Sequence, residues 1–308
     1  MDINKKLNNI VEAVFMLSLV GILVFVSNIS IIPLALVPVL FSIYIFRNGF
    51  RKFFLVFVLS FSISLLYLDL YDSLAIFISI LAISLLFTLA IKYIKSDKAE
   101  IVLVAIVLSL IFIGLYVFAM KREGASLDSL AANMKEYLES SLDYNFSLDV
   151  YKLSLALFPS MFTFFSVIYS ILGIKLIRNY VNIKEGSLED LDNINEIRIE
   201  SKDILTIIAF MAIIYIVCNF LKLNMTYVKV NILAILVEIL AFNGLSAYDY
   251  MISKSNIPLS RGFQWFFVII LLQFLIILFI ILGFIDIILD VRKKRSFNEE
   301  ERWVCRKE

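Results

Sequence analysis

The 308-residue sequence contains no histidine, only two cysteines and only four prolines. Without histidine, the chain cannot build a Ser-His-Asp or Cys-His nucleophile, an HExxH zinc site or a histidine-ligated haem. Cys218 and Cys305 lie far apart and form no CxxC motif. We therefore expect one buried structural thiol and one thiol that is kept reduced in a cytoplasmic tail.

Glycine is scarce as well. None of the nine glycines falls into a GxGxxG or GxxxxGK[ST] motif, so the sequence has neither a dinucleotide fingerprint nor a phosphate-binding loop. A net charge of +1, from 28 basic and 27 acidic residues, gives no argument for nucleic-acid binding. We expect no cofactor, no metal site, no nucleic-acid partner and no enzymatic activity, since a lone carboxylate is not a catalytic constellation.

Apolar residues are abundant: 61% of the chain is apolar or aromatic and 18% is charged, with a mean hydropathy of +0.94. Soluble domains average about 45–50% apolar and about 25% charged residues. Nine runs approach the length of about 20 residues that a helix needs to cross a bilayer. They are residues 10–26, 31–46, 53–68, 74–94, 101–120, 150–177, 204–221, 228–251 and 263–289. The pattern predicts an all-α, polytopic transmembrane helical bundle of eight or nine membrane helices in the cell membrane, surrounded by the lipid bilayer.

Lysine and arginine are unevenly distributed among the connections. They crowd residues 47–52, 92–98 and 175–203 and the tail, whereas two other turns contain none. Because short cytoplasmic loops carry the excess of basic residues, we predict that the amino terminus and the tail are both cytoplasmic. Nine crossings would divide the basic residues almost evenly between the two sides, so the charge rule favours eight.

These runs and connections divide the chain into four parts. Residues 1–178 form a six-helix membrane bundle, 179–203 a cytoplasmic linker, 204–291 the carboxy-terminal membrane helices and 292–308 a basic cytoplasmic tail. Within the first part, residues 125–144 place apolar side chains at steps of three and four, which predicts an amphipathic helix outside the membrane. It is either a lid over an outward pocket or, as we favour, a connector packed on the bilayer.

The run at 228–251 is the one that we expect to fall short of crossing, because it contains Lys229, Asn231, Glu238, Asn243 and Asp249. Irregular backbone at membrane depth is tolerated only where protein or a water-filled cavity surrounds it. We therefore interpret this run as the wall of a cavity. Its candidate ligand-binding residues are Glu238, Asn231, Asn243 and Asp249.

Glu238 is the ionisable residue nearest the middle of a run, where a charge costs about 2.5–3.5 kcal/mol on insertion scales. In one interpretation, it binds a cationic or hydrogen-bonding substrate or carries a proton. In the other, it is a protonated or paired carboxyl that stabilises helix packing, or it lies in a helix that is not at membrane depth. The sequence leaves both interpretations open.

The last run ends in a dense pattern that consists of Gly283, Asp286, Asp290 and Arg292. Asp286 and Asp290 are four residues apart and lie on one helix face, where they can share a proton or a cation. We favour a simpler interpretation, in which the acidic and basic side chains neutralise each other while the basic tail binds anionic lipid.

This pattern resembles the end of the last helix in the uncharacterised YybS-like family of integral membrane proteins in Gram-positive bacteria. Three further stretches fit that family: Glu12-Ala13 at the start of the first helix, Pro159 in the helix that ends at residues 177–180, and Gly244-Leu245-Ser246. The resemblance is spread over most of the chain. It implies no assigned biochemical activity.

The amino-terminal helices also distantly resemble the substrate-binding components of energy-coupling-factor vitamin transporters, which depend on partner subunits for ATP hydrolysis. Our leading hypothesis is an integral membrane protein that binds a small molecule or takes part in its transport without its own ATPase, with a cavity between the amino-terminal six helices and the run at 228–251. The alternative is a membrane scaffold that assembles or regulates a membrane or cytoplasmic protein partner through the tail and the linker.

Overall fold

The computed structural model describes residues 3–27, 32–142, 146–185, 188, 191, 195–254, 260–289 and 292. Within these residues there is no strand, and eleven α-helices and one short 3₁₀-helix follow one another. The α-helices are α1 (Ile3–Ser27), α2 (Leu36–Asn48), α3 (Phe50–Ser64), α4 (Leu70–Tyr93), α5 (Asp97–Arg122), α6 (Leu127–Leu142), α7 (Leu148–Ala156), α8 (Phe158–Glu185), α9 (Ser201–Phe220), α10 (Met225–Ser253) and α11 (Arg261–Leu289).

Six helical stretches in the described part of the chain are long and apolar enough to cross a membrane. They are Ile10–Ser27, Leu70–Tyr93, Asp97–Arg122, Leu148–Ile183, Ser201–Phe220 and Met225–Ser253. Pro33–Asn48 and Phe274–Leu289 are shorter apolar helices. The all-helical membrane class is therefore confirmed, whereas the count of eight or nine crossings stays a prediction.

The polar run at 228–251 lies within one continuous helix. α10 extends over 29 residues from Met225 to Ser253. Its start is capped by Asn224, whose Oδ1 accepts a hydrogen bond from the Thr226 N–H at 3.0 Å, as is typical of an N-cap residue. The irregular backbone that we considered for this run is not found in α10, and its length allows it to span a bilayer.

Proline and glycine determine the helix breaks in the first part of the chain. Pro33 lies in the 3₁₀-helix Ile32–Ala35 that precedes α2, where its missing N–H and restricted φ are tolerated. α2 and α3 are separated only by Gly49, whose φ of 77° and ψ of 163° belong to a region that is essentially restricted to glycine.

The chain forms two compact units. The first consists of Met1–Glu123 and Phe165–Leu191, and the second of Gly124–Phe164 and Asp192–Glu308. The boundary therefore falls inside α8, whose first turns belong to the second unit and whose remainder belongs to the first.

Phenylalanine builds the core of the first unit. The ring centroids of Phe41 and Phe53 lie 5.3 Å apart, and those of Phe57 and Phe77 lie 5.5 Å apart, both in edge-to-face geometry. Such pairs contribute about 0.5–1.5 kcal/mol beyond the burial of their area. They hold α2, α3 and α4 together.

Ion pairs join further helices of the first unit. Arg178 of α8 is 6% exposed and pairs with the fully buried Glu100 and, at 2.9 Å, with Asp97, both at the start of α5. Arg47 at the end of α2 pairs with Glu12 of α1. Because a buried charge without a partner is strongly destabilising, the Arg178 pairs fix the position of α8 on α5.

The helix predicted at residues 125–144 is present in the second unit as α6. It packs on α7, with Lys152 Nζ 2.7 Å from the Asp128 carboxylate. Ala131 is fully buried, whereas Met134 and Tyr137 are exposed. The place of this helix relative to the membrane stays a prediction.

Candidate functional site

Four polar side chains of the second unit meet in one buried group: Asn243, Ser246, Asp286 and Arg292, each at most 5% exposed. We call this group the Arg292 cluster. Arg292 donates from Nε and Nη2 to Asp286 Oδ2 at 3.0 and 2.7 Å, and from Nη2 to Asn243 Oδ1 at 2.8 Å. Its Nη1 donates to Ser246 Oγ at 2.9 Å. Since a guanidinium is expensive to bury without partners, these contacts tie residue 292 to α10 and α11.

The Arg292 cluster also holds the segment that precedes α9. The guanidinium donates to the Asn195 carbonyl at 3.1 Å, and Ser246 Oγ donates to the Ile197 carbonyl at 2.7 Å. The Ile199 N–H donates to Asn243 Oδ1 at 3.1 Å. Backbone groups that no helix satisfies are thus paired by the cluster, which is the usual way to place an irregular segment in a buried position.

Two glycines bring α10 and α11 close enough for these contacts. A Cβ atom on Gly244 would lie 1.8 Å from the Phe279 carbonyl oxygen, and one on Gly283 would lie 2.0 Å from the Leu240 carbonyl oxygen. Both distances are far below van der Waals contact, so only glycine fits at either position. The motifs around Gly244 and Gly283, which lie far apart in sequence, therefore meet at one helix crossing.

A pocket of about 180 Å³ adjoins the Arg292 cluster. It is lined by Arg198, Ile199, Glu200, Ser201, Lys202, Asp286 and Ile287. Every hydrogen bond to the Asp286 carboxylate from the described residues goes to Oδ2. Asp286 Oδ1 is buried and has no hydrogen-bond partner among them. A buried acceptor left without a donor costs about 1–3 kcal/mol, so a ligand that brings a donor to Oδ1 recovers that free energy.

The other charged groups of the pocket belong to the start of α9. Lys202 Nζ lies 2.7 Å from Glu200 Oε2, and Arg198 Nη2 lies 3.5 Å from Glu200 Oε1. The Glu200 N–H donates to Asp203 Oδ2 at 2.9 Å, which caps the helix in the manner of a capping box. Two basic and two acidic side chains, counting Asp286, thus surround the pocket.

Asn231, a predicted ligand-binding residue, hydrogen-bonds to the backbone at the break between α7 and α8. Pro159 has no N–H and its ring excludes a regular helix at this point, and in a continuous helix the Ser160 N–H would bond the Ala156 carbonyl. Here the Ser160 N–H donates to Asn231 Oδ1 at 3.0 Å, and Asn231 Nδ2 donates to the Ala156 carbonyl at 2.7 Å. The amide therefore bridges the two groups that the break separates.

The other two candidates on α10 do not line the pocket. Asp249 is 1% exposed, and its Oδ1 accepts a hydrogen bond from Trp265 Nε1 at 2.9 Å, which joins α10 to the start of α11. Glu238 is half-buried, and its side chain makes no hydrogen bond or ion pair to the described residues. The structure thus brings Asn243 together with Gly283, Asp286 and Arg292, and leaves the other three apart. Asp290 lies outside the described residues, as does the tail beyond Arg292.

A larger groove of about 490 Å³ lies along α1 and α3 in the first unit. Its lining is apolar apart from the hydroxyl groups of Ser18 and Tyr67. It has no charged side chain with which to orient a polar ligand, so we regard the pocket beside Asp286 as the candidate site.

The chain matches the model of a known protein family. The DUF2232 family, described as "Predicted membrane protein", matches residues 13–287. The chain belongs to this family. No curated protein and no solved structure matches it. The DUF2232 match contains the helix crossing at Gly244 and Gly283 and extends one residue past Asp286, so all pocket-lining residues lie inside it.

In this DUF2232 protein, the pocket residues just before and at the start of α9 were not predicted from the sequence. In the sequence, these positions look like the solvated charges of a linker: Arg198, Glu200 and Lys202. The one available signal was the pair of Glu200 and Asp203 at the start of an apolar run, which is typical of a helix cap. The group of Arg178, Asp97 and Glu100 was not predicted from the sequence either. In the described part of the chain, no group of three or more His, Cys, Asp or Glu residues is arranged to hold a metal ion.

Proposed function

We propose that this DUF2232 membrane protein binds a small polar solute in the pocket beside Asp286 and takes part in the transport of that solute. The observation that carries the proposal is the Asp286 carboxylate. Arg292 holds it through Oδ2, while the buried Oδ1 belongs to a side chain that lines a pocket of about 180 Å³. A concave site with a few fixed polar groups is typical of small-molecule binding.

The proposed role is non-enzymatic and depends on a partner for energy. The sequence has no histidine and no phosphate-binding loop. The Ser201 hydroxyl, which belongs to the pocket lining, donates to the Ile287 carbonyl at 2.9 Å and not to a base that would activate it. We also propose that this chain is a YybS-like protein and that it is distantly related to the substrate-binding components of energy-coupling-factor transporters. The proposal also includes eight crossings with a cytoplasmic amino terminus and tail.

The test is solute binding by the full chain purified in mild detergent. Thermal-shift measurements with a panel of amino acids, polyamines, vitamins and nucleosides should reveal at least one class that stabilises the protein. Asp286→Asn, which keeps the shape of the side chain, should abolish that stabilisation. Asp249→Asn is the matched control, because Asp249 is equally buried in the same unit but does not line the pocket.

Glu238→Gln separates this site from the cavity expected around α10. We predict unchanged solute binding in Glu238→Gln, since Glu238 does not line the pocket. Loss of binding in Glu238→Gln together with retention in Asp286→Asn would move the site to Glu238. A folded wild-type protein that no solute of the panel stabilises would refute the proposal.

The scaffold alternative has one supporting observation. Arg292, the first residue of the basic tail, is buried in the second unit, so the tail starts from a fixed point and can present its charges to a partner. A truncation after Arg292 keeps the Arg292 cluster and removes only the rest of the tail. A stoichiometric partner that is lost on this truncation would favour the scaffold, and a partner-free full-length preparation would exclude it.

A further inference from the structure

The pocket beside Asp286 has a charge pattern that selects among small solutes. Its lining has the basic side chains of Arg198 and Lys202 and the acidic side chains of Glu200 and Asp286. A solute with a net charge would meet as many like charges as opposite ones at close range. A neutral solute with separated charges of both signs matches such a lining best.

The acidic end of this pattern requires a hydrogen-bond donor. The Asp286 carboxylate is paired with Arg292 through Oδ2, and its buried Oδ1 lacks a donor among the described residues. An ionised carboxylate can only accept hydrogen bonds. An ammonium group is the ligand group that satisfies it best, because it brings both several donors and the opposite charge.

The basic end of the pattern lies at the start of α9. Lys202 is the second residue of this 20-residue helix, and its side chain is 74% exposed while it pairs with Glu200. An exposed ion pair contributes little, about 0–1 kcal/mol, so the lysine can exchange its partner for a ligand anion at small cost.

The volume limits the size of the ligand. At about 180 Å³, the pocket is smaller than the roughly 300–1,000 Å³ that is typical of sites for drug-sized ligands. It therefore suits a solute smaller than those ligands.

We propose that the pocket binds a small zwitterion, with a primary ammonium at Asp286 Oδ1 and an anionic group at Lys202 and the start of α9. This inference rests on the proposed function and narrows its solute class. Two sources supply the chemistry: a free amino acid, or the phosphoethanolamine headgroup of a membrane lipid. Both place a primary ammonium a few bonds from an anionic group.

The experiment compares matched probes on the full chain in a detergent free of ethanolamine lipids. The free zwitterions are glycine and alanine, and glycerophosphoethanolamine represents the headgroup. Ethylamine lacks the anionic group, and propionate lacks the ammonium. We expect binding of at least one zwitterion, seen by calorimetry, and binding at least about tenfold weaker for both single-charge probes, as for the loss of one charge-assisted hydrogen bond. Preference for an amino acid or for glycerophosphoethanolamine identifies the source.

Two variants assign the two ends of the ligand. Asp286→Asn should weaken zwitterion binding about tenfold to a hundredfold and leave the weak propionate binding unchanged. Lys202→Gln should weaken zwitterion binding without changing that of ethylamine, and because this side chain is exposed, the variant keeps the fold. Asp249→Asn should bind as the wild type does.

The outcomes separate this inference from the proposed function. If ethylamine binds as tightly as the zwitterions, the pocket is a cation site, and the zwitterion inference fails while solute binding stands. If only polyamines, vitamins or nucleosides of the wider panel bind, the ligand class proposed here is likewise overturned. If no solute of either set binds to the folded protein, both proposals fail.

Discussion

The break between α7 and α8 offers the sharpest prediction from this structure. We predict that Asn231→Leu, which preserves most of the side-chain volume, destabilises the protein. The variant removes the acceptor for the Ser160 N–H and the donor for the Ala156 carbonyl, now paired at 3.0 and 2.7 Å. A hydrogen bond between helices in a membrane protein contributes about 0.6–2 kcal/mol. With two such bonds lost, we expect the free energy of unfolding to fall by about 2 kcal/mol.

A double-mutant cycle with Pro159→Ala tests the reasoning behind that number. Proline prevents the regular helix in which the Ser160 N–H would bond the Ala156 carbonyl directly. In a Pro159→Ala background, α7 and α8 can close this bond without help. Asn231→Leu should then cost less, with a coupling of about 1 kcal/mol between the two positions.

The assay is unfolding by a titration with sodium dodecyl sulfate in mixed micelles, followed by circular dichroism. Asn219→Leu is the control, because the Asn219 side chain is exposed on α9 and makes no hydrogen bond to the described residues. It should change the free energy of unfolding by less than about 0.5 kcal/mol. Equal costs of Asn231→Leu with and without Pro159 would refute the proposed bridge, as would an Asn231→Leu variant as stable as the wild type.

Two further predictions concern the contacts that form the site. Gly244→Ala should destabilise the protein by about 1–3 kcal/mol or more, because its Cβ would lie 1.8 Å from the Phe279 carbonyl oxygen. Gly114→Ala is the control and should not destabilise the protein, because no atom lies within 4 Å of the added Cβ. The same unfolding titration checks both, and equal stability of the two variants would contradict the helix crossing. Arg292→Ala should lower the free energy of unfolding by about 3–5 kcal/mol, because it leaves Asp286 buried without its counter-charge. Restored stability in an Arg292→Ala, Asp286→Asn double variant would support this cause. A double variant as unstable as Arg292→Ala would argue against it.

The polar residues of the run at 228–251 show which features of the site could not be predicted from the sequence. Glu238 stands out in the sequence because it is central in an apolar run, yet it does not line the pocket. Asn243 lies nearer the end of the same run, and its amide contacts Gly283, Asp286 and Arg292. Those partners are 40 to 49 residues away, and hydropathy carries no information about contacts at that separation.

The end of the last run illustrates the same limit from the other side. The four-residue spacing that suggested a pair of Asp286 and Asp290 is a local rule of one helix. Asp286 pairs with Arg292, six residues on, in a buried group completed by α10, whereas Asp290 lies outside the described residues. The pattern itself was recognised as significant from the sequence. Its role in burying a guanidinium depends on a second helix.

The membrane class of this protein can be read from its sequence, because a membrane-spanning helix is specified by about 20 adjacent apolar residues within one segment. The sequence also contained the signals for the helix breaks at Pro33 and Pro159, since proline acts on its own backbone. The residues that form the site come together only in the folded protein. Gly244 and Gly283 let two helices approach, and that approach brings Asn243 to Asp286 and Arg292 and leaves one carboxylate oxygen without a donor. These contacts are between distant parts of the chain, and packing selects them through shape, which no local pattern encodes.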